Sequence, residues 1–199
     1  VSILVRSRSL EIATNSLLLM AGVTALSVVI GVPLAWLTSR TDLPFARLWT
    51  VVVALPLAIP SYLGALAYID AFGPRGRLQS LLAPLGVDSL PEIYGLGGAI
   101  LVITLYTYPY VYLTTRAALK TFDKTLVDAA RTLEHDYRET FRRVTFPQIR
   151  PAITAGALLV ALYAISDFGT PAFMRLDVFT RQIYVEYRGW NLDYAAMLS

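Results

Sequence analysis

DAARTLEHDYRETFRRVTFP, residues 128–147, is the stretch on which the reading of this chain turns. It lies in the longest charged segment of an otherwise apolar sequence and has a helical pattern of its own. Leu119, Phe122, Leu126, Ala130, Leu133, Tyr137, Phe141 and Val144 recur at steps of three and four, which puts them on one face of a helix or of two successive helices. Lys120, Lys124, Arg131, Arg138, Arg142 and Arg143 stand on the other face, among Asp128, Glu134, Asp136 and Glu139. Taken by composition alone, this is a solvated amphipathic segment between two membrane spans. The capping residues say more. Asp123 suits the start of a helix running to about residue 133, and Asp136 with Glu139 three residues later forms an acidic capping box that starts a second helix. Pro147 and Pro151 are expected to end that second helix. The pattern is two short helices meeting at a corner near Glu134 and His135.

Away from this stretch the charges thin out. Of 199 residues, 56% are hydrophobic and 16% charged, below the roughly 25% charged of soluble domains. The apolar residues come in unbroken blocks, which marks an all-α, polytopic integral membrane protein in contact with the lipid bilayer. Residues 15–37 form 23 positions without a charge, enough to cross about 30 Å of hydrocarbon at 1.5 Å per residue. A second span is expected at 48–69, interrupted by Pro56 and Pro60, whose freed carbonyls need partners from a neighbouring helix or a water-lined path. A third is expected at 93–115 and a fourth at 151–174, with Asp167 as its one charge. The first block is too long for a signal peptide's apolar core of about 7–15 residues. There is no cysteine and a single histidine, His135, so no metal site is expected. No phosphate-cradling GxxxxGK[ST] loop and no catalytic constellation is present, which argues against an enzyme and against an ATPase.

The basic residues give the orientation. Arg40 and Arg47 in the 38–48 loop, with eight more Lys and Arg in residues 116–150, place 10 of the 17 on one side. The 70–92 loop has Arg75 and Arg77 against Asp70, Asp88 and Glu92. The positive-inside rule puts 38–48 and 116–150 in the cytoplasm, although Arg6 and Arg8 then fall outside. These charges are read as topology; no nucleic-acid partner is expected.

The spacing in 128–147 resembles the cytoplasmic EAA loop of the permease subunits of binding-protein-dependent ABC importers, which reads Glu-Ala-Ala, three residues, Gly, nine residues, Ile-x-Leu-Pro. Here Asp128, Ala129 and Ala130 are followed, after three residues, by Glu134, and nine more lead to Val144, Thr145, Phe146 and Pro147. Six of the seven marked positions match or are conservatively replaced, and Glu134 stands where the family has Gly. The flanks Thr140-Phe141-Arg142-Arg143-Val144-Thr145, Arg150-Pro151-Ala152-Ile153 and Ser166-Asp167-Phe168-Gly169-Thr170 resemble the ferric-iron branch of that family. The resemblance runs from about residue 10 to the end.

It implies the type I importer permease fold, with four of about five core helices present, a fifth beginning past Ser199, and a chain that is the first half of a tandem permease. The implied location is the bacterial inner membrane, crossed several times. The implied function is to pass ferric iron, or another small cation or solute, inward from a periplasmic substrate-binding protein. Implied partners are a cytoplasmic ATP-binding subunit, which uses the ATP, and a second permease half; this chain would bind no cofactor. Asp128, Ala129, Ala130, Leu133, Glu134, Val144 and Pro147 would form the coupling contact with the ATPase. If the corner needs a left-handed residue, Glu134 costs about 1 kcal/mol relative to Gly, which favours a shift of the corner to His135 and Asp136. Thiamine, polyamine or another small solute is the alternative cargo. A non-ABC transporter or a membrane enzyme is the alternative class, and either should carry several ionisable residues within its spans, where only Asp167 qualifies.

Asp167 lies 16 residues after Pro151, about 24 Å along a helix, with Gly169 and Pro171 marking a break. A broken helix with a carboxylate can line a cation path; the alternative is a cap on the next segment. Asp70, Pro56 and Pro60 join it as path candidates. Tyr106, Tyr108, Tyr110 and Tyr112 pair as 106/110 and 108/112 on different faces, and are read as helix packing or an interfacial belt rather than as iron ligands.

Overall fold

In a computed structural model of the chain, residues 7–73, 76–82, 93–121, 139 and 141–189 are described, and among them there are helices and no strand. α1 is Ser7–Arg40, α2 Ala46–Ala54, α3 Ser61–Phe72, α4 Arg77–Leu82, α5 Leu96–Thr121, α6 Phe146–Ser166, α7 Gly169–Phe173 and α8 Phe179–Arg188. Among the described residues, three helices are long and apolar enough to cross a membrane: Arg8–Arg40, Leu96–Thr121 and Phe141–Ser166. A fourth crossing would need the broken pair Ala46–Ala58 and Ser61–Leu82 taken as one.

The prolines act differently in the two places where the sequence uses them as punctuation. Pro56 lies in a 3₁₀ turn, Leu55–Ala58, that tightens the end of α2, and Pro60 at φ −58° is the residue from which α3 starts. The second apolar block is thus two helices, not one. Pro147 and Pro151 were expected to terminate a helix, and they do not. Phe141–Thr145 is a π-helical turn that runs directly into α6, whose second residue is Pro147. Proline lacks an N–H and its ring collides with the carbonyl four residues back. Both prolines forgo that bond inside one continuous helix, Phe141–Ser166, and the wider π turn ahead of Pro147 gives its ring room. The fourth block is helical only to Ser166, and Asp167 and Phe168 separate it from α7.

Packing divides the chain into two compact units, and α1, α5 and α6 have residues in both. In the unit of residues 1–24, 59–106 and 161–199, α3 packs on α4 and α7. Ile12, Leu19 and Val23 of α1, Val102 and Ile103 of α5, and Met174 and Val178 are among its buried side chains. The link from α7 to α8 is tied down by polar bonds. Asn15 Nδ2 donates to the Asp177 carbonyl at 3.1 Å, and the Phe179 N–H donates to Ser16 Oγ at 3.1 Å. Gly95, at φ +84°, makes the turn into α5, and its N–H donates to the Met174 carbonyl at 2.7 Å.

In the unit of residues 25–58 and 107–160 the core is Ala35, Val53, Tyr112, Leu119 and Ile149. Two glycines let helices close on α5. A Cβ at Gly31 would stand 3.0 Å from the Tyr108 carbonyl oxygen, and one at Gly156 would stand 2.7 Å from the Val111 Cα. In a bilayer, where apolar burial from water cannot drive helix association, such small-residue contacts supply the close packing.

Candidate functional site

Of the coupling residues, Asp128, Ala129, Ala130, Leu133 and Glu134 lie outside the described residues, as do His135 and the proposed corner at 134–136. Val144 is half-buried in the π turn, and Pro147 is exposed in the first turn of α6. Thr145 between them is buried. The stretch is therefore seen at its two anchors. On one side, α5 runs six residues past the apolar block to Thr121, and Leu119 is 2% exposed in the core. On the other, the Phe141 ring meets Trp36 edge-on at 5.2 Å and Phe146 at 6.3 Å. Arg40 at the end of α1 donates to the Leu119 carbonyl at 2.9 Å, so a cation sits on the α5 C-terminus, where the helix dipole favours one. Arg116 donates to Thr50 Oγ1 at 2.9 Å, and Arg143 pairs with Glu139 at 2.9 Å. Trp36 and Leu37, Leu119, Phe141 and Ile149 line an apolar recess of ≈ 440 Å³.

The path candidates in the other unit show a second constellation. Ser61, the first residue of α3 and 2% exposed, donates to Asp167 Oδ2 at 3.0 Å. Tyr163 donates to Ser61 Oγ at 3.0 Å, and the Gly169 N–H donates to Asp167 Oδ1 at 3.0 Å. Thr180 Oγ1 donates to the Asp167 carbonyl at 2.9 Å. Both oxygens of the carboxylate are thus held by donors of the chain itself, one of them at the N-terminus of α3, where negative charge is favoured. A Cβ at Gly169 would come 2.7 Å from the Tyr62 Cβ, so only glycine lets α7 start this close to α3. Asp70 is elsewhere engaged, in an exposed pair with Arg77 Nε at 3.0 Å. Pro56 and Pro60 mark the break that precedes Ser61. Sequence reasoning missed Ser61 and Tyr163. Tyr163 stands one helical turn before Asp167, a local signal that was available; Ser61 had none.

Three of the four tyrosines are engaged in helix packing. Tyr112 is fully buried, with its hydroxyl 3.2 Å from Thr38 Oγ1, and Tyr108 donates to the Val53 carbonyl at 2.9 Å, beside the 3₁₀ turn that holds Pro56. Tyr106 lies over Gly64. Among the described residues no group of three His, Cys, Asp or Glu could hold a metal ion.

Among the described residues, long apolar helices interrupted by broken segments describe a helical membrane protein. A family model described as binding-protein-dependent transport system inner membrane component matches residues 19–191, and the chain belongs to that family. The family is a non-enzymatic membrane subunit of the inner membrane. A putative ferric transport system permease of Haemophilus influenzae is 29% identical over 98% of this chain and 31% of its own length. A second ferric permease of that organism is 30% identical over all of this chain and 36% of its own. A probable molybdenum ABC transporter permease of Haloferax volcanii is 33% identical over 94% of this chain and 67% of its own. The chain thus spans about a third of the length of those ferric relatives. One chain of a solved bacterial ABC transporter, involved in the import of the polysaccharide alginate, superimposes with a TM-score of 0.72. It covers 99% of this chain and 74% of that one, at 18% identity. The fold is that of an ABC importer permease.

Proposed function

We propose that the chain is part of the membrane-spanning subunit of an ATP-driven importer whose cargo is ferric iron, delivered by a periplasmic binding protein. The observation that carries the class is the family match across 19–191. The cargo rests on the two ferric relatives, which align with 98% or more of this chain. In this reading Asp128, Ala129, Ala130 and Leu133 meet a cytoplasmic ATP-binding subunit, and Val144 and Pro147 anchor that contact to α6. A second permease half completes the pore. The Asp167 bonds to Ser61 and Gly169 favour a carboxylate that holds the junction of two broken helices beside the path, over one that ligates cargo directly. Pro56 and Pro60 supply one of those breaks, and Asp70 is exposed to solvent nearby in the sequence of α3.

A second reading, an oxyanion cargo, is favoured by the molybdenum relative, of which the chain covers 67%. The complete transporter, expressed with its ATPase and binding protein in cells lacking high-affinity iron uptake, tests both. Radioactive iron should accumulate and molybdate should not. Accumulation of molybdate alone selects the second reading, and accumulation of neither removes both cargoes.

A further inference from the structure

We propose that the apolar recess between α1, α5 and α6 is a binding site for an anionic glycerophospholipid. One acyl chain lies along Trp36, Leu37 and Phe141, and the phosphate meets the cations at the helix ends. The proposal needs the chain to be in a membrane, not the import reading. The recess is ≈ 440 Å³ and lined by apolar side chains. Its wall on α1 includes Val32 and Pro33, both inside the charge-free run 15–37, so it lies at a depth where lipid is the available solvent. Leu37 is 44% exposed, which leaves that wall open. A soluble protein partner would have to reach into the hydrocarbon zone to fill it.

The charge fits an anion. Arg40 follows Leu37 by three residues and Trp36 by four, on the same face of α1, and its guanidinium bonds the carbonyl of Leu119, another lining residue. Arg142 and Arg143 follow Phe141 in the π turn and Arg150 follows Ile149, each turned aside from the lining residue before it, so they flank the recess rather than line it; Arg142 and Arg150 are exposed. The described residues of this unit carry seven Lys and Arg against two acids, Asp42 and Glu139, and Glu139 is held by Arg143. Basic pockets between helices at the cytoplasmic side suit anionic head groups. An apolar slot with Arg40 bonded to one of its lining residues and exposed arginines flanking it suits a lipid better than a free phosphate.

Photolabelling of the complete transporter in vesicles of phosphatidylethanolamine and phosphatidylglycerol tests this, with a trace of phosphatidylglycerol or phosphatidylcholine carrying a diazirine in one acyl chain. Peptides containing residues 32–37 and 141–149 should be labelled about fivefold more by the anionic probe, the worth of one cation near an anionic surface. Leu37→Phe, at a partly exposed position, should cut that labelling by filling the slot. Arg142→Gln with Arg150→Gln should bring the two probes level. Equal labelling by both probes in the unchanged protein marks ordinary boundary lipid and overturns the proposal. So does an absence of label, which would mean that protein rather than lipid fills the recess. A preference that survives all three substitutions arises elsewhere and also overturns it.

Discussion

Ser61 and Asp167, 106 residues apart, are joined by a hydrogen bond of 3.0 Å, so the first residue of α3 is fastened to the residue at which α6 stops. Each is at a break: one follows Pro60, the other precedes Gly169. A buried serine bonded to a carboxylate is worth more than an ordinary hydrogen bond, about 1.5–3 kcal/mol for a charged partner.

If the pair holds the junction beside the path, Ser61→Ala and Asp167→Asn should behave alike in the complete transporter. Both should slow uptake, both should lower the melting temperature, and neither should change the cargo concentration giving half-maximal rate. A shift in that concentration for Asp167→Asn alone would show that the carboxylate touches cargo. Unchanged uptake in both would leave the pair as a cap with no part in transport.

Gly64 permits a contact that any side chain would forbid. A Cβ there would stand 2.0 Å from Tyr106 Cε2, so Gly64→Ala must displace the ring. Overpacking of this kind costs about 1–3 kcal/mol. Tyr106→Leu in the same chain should return most of that loss, which a double-mutant cycle on thermal unfolding of the detergent-purified complex can measure. A neutral Gly64→Ala would mean the helices have room that the packing denies.

Tyr108→Phe removes the donor on the Val53 carbonyl, and Tyr112→Phe removes the hydroxyl facing Thr38. Side-chain hydrogen bonds within membranes average about 0.6 kcal/mol, so each variant should melt slightly lower and import at an unchanged rate. Loss of uptake without loss of stability would give these phenols a part in transport.

The sequence read outward from residues 128–147 goes far because charge and apolar blocks are local properties. The uncharged run 15–37 lies wholly within α1, and the break at Asp167 was legible from Gly169 and Pro171. What failed was the meaning of proline. Pro147 reads as a stop, but the π turn Phe141–Thr145 takes up the strain and lets the helix continue. That accommodation depends on the backbone before the proline, which no residue type announces. The Ser61 contact was beyond reach for another reason: it pairs residues on separate helices, and serine after Pro60 looks like any helix start. The cores illustrate the same limit. By spacing Tyr112 suits helix packing and an interfacial belt equally, and only its fully buried place against Ala35, with its hydroxyl facing Thr38, decides for packing.

Topology has a direct test, because the sequence contains no cysteine. Cysteines introduced at Thr41, exposed just after α1, and at Thr132 should both react with a membrane-impermeant thiol reagent only when the cytoplasmic face is open to it. The basic residues at 38–48 and 116–150 motivate this. Labelling from opposite faces would separate the two loops and with them the coupling proposal.

Coupling to the ATPase makes the most demanding prediction. If Asp128, Ala129 and Ala130 form the contact, the two small side chains are there because a partner surface approaches closely, and the carboxylate has a basic or amide partner. Ala130→Trp places an indole where that surface should close. Asp128→Lys reverses a charge at a partly desolvated contact, where truncating one partner commonly costs about 2–5 kcal/mol. Neither position lies in an apolar block, so both variants should insert and reach the membrane in normal amounts. Both should lose cargo-stimulated ATP hydrolysis in the reconstituted complex. Asp128→Glu, which lengthens the side chain by one methylene and keeps the charge, should retain it. If both disruptive variants copurify with the ATPase and stimulate it normally, the contact lies elsewhere. The apolar face running from Leu119 to Val144 would then serve only to seat an amphipathic segment against the membrane.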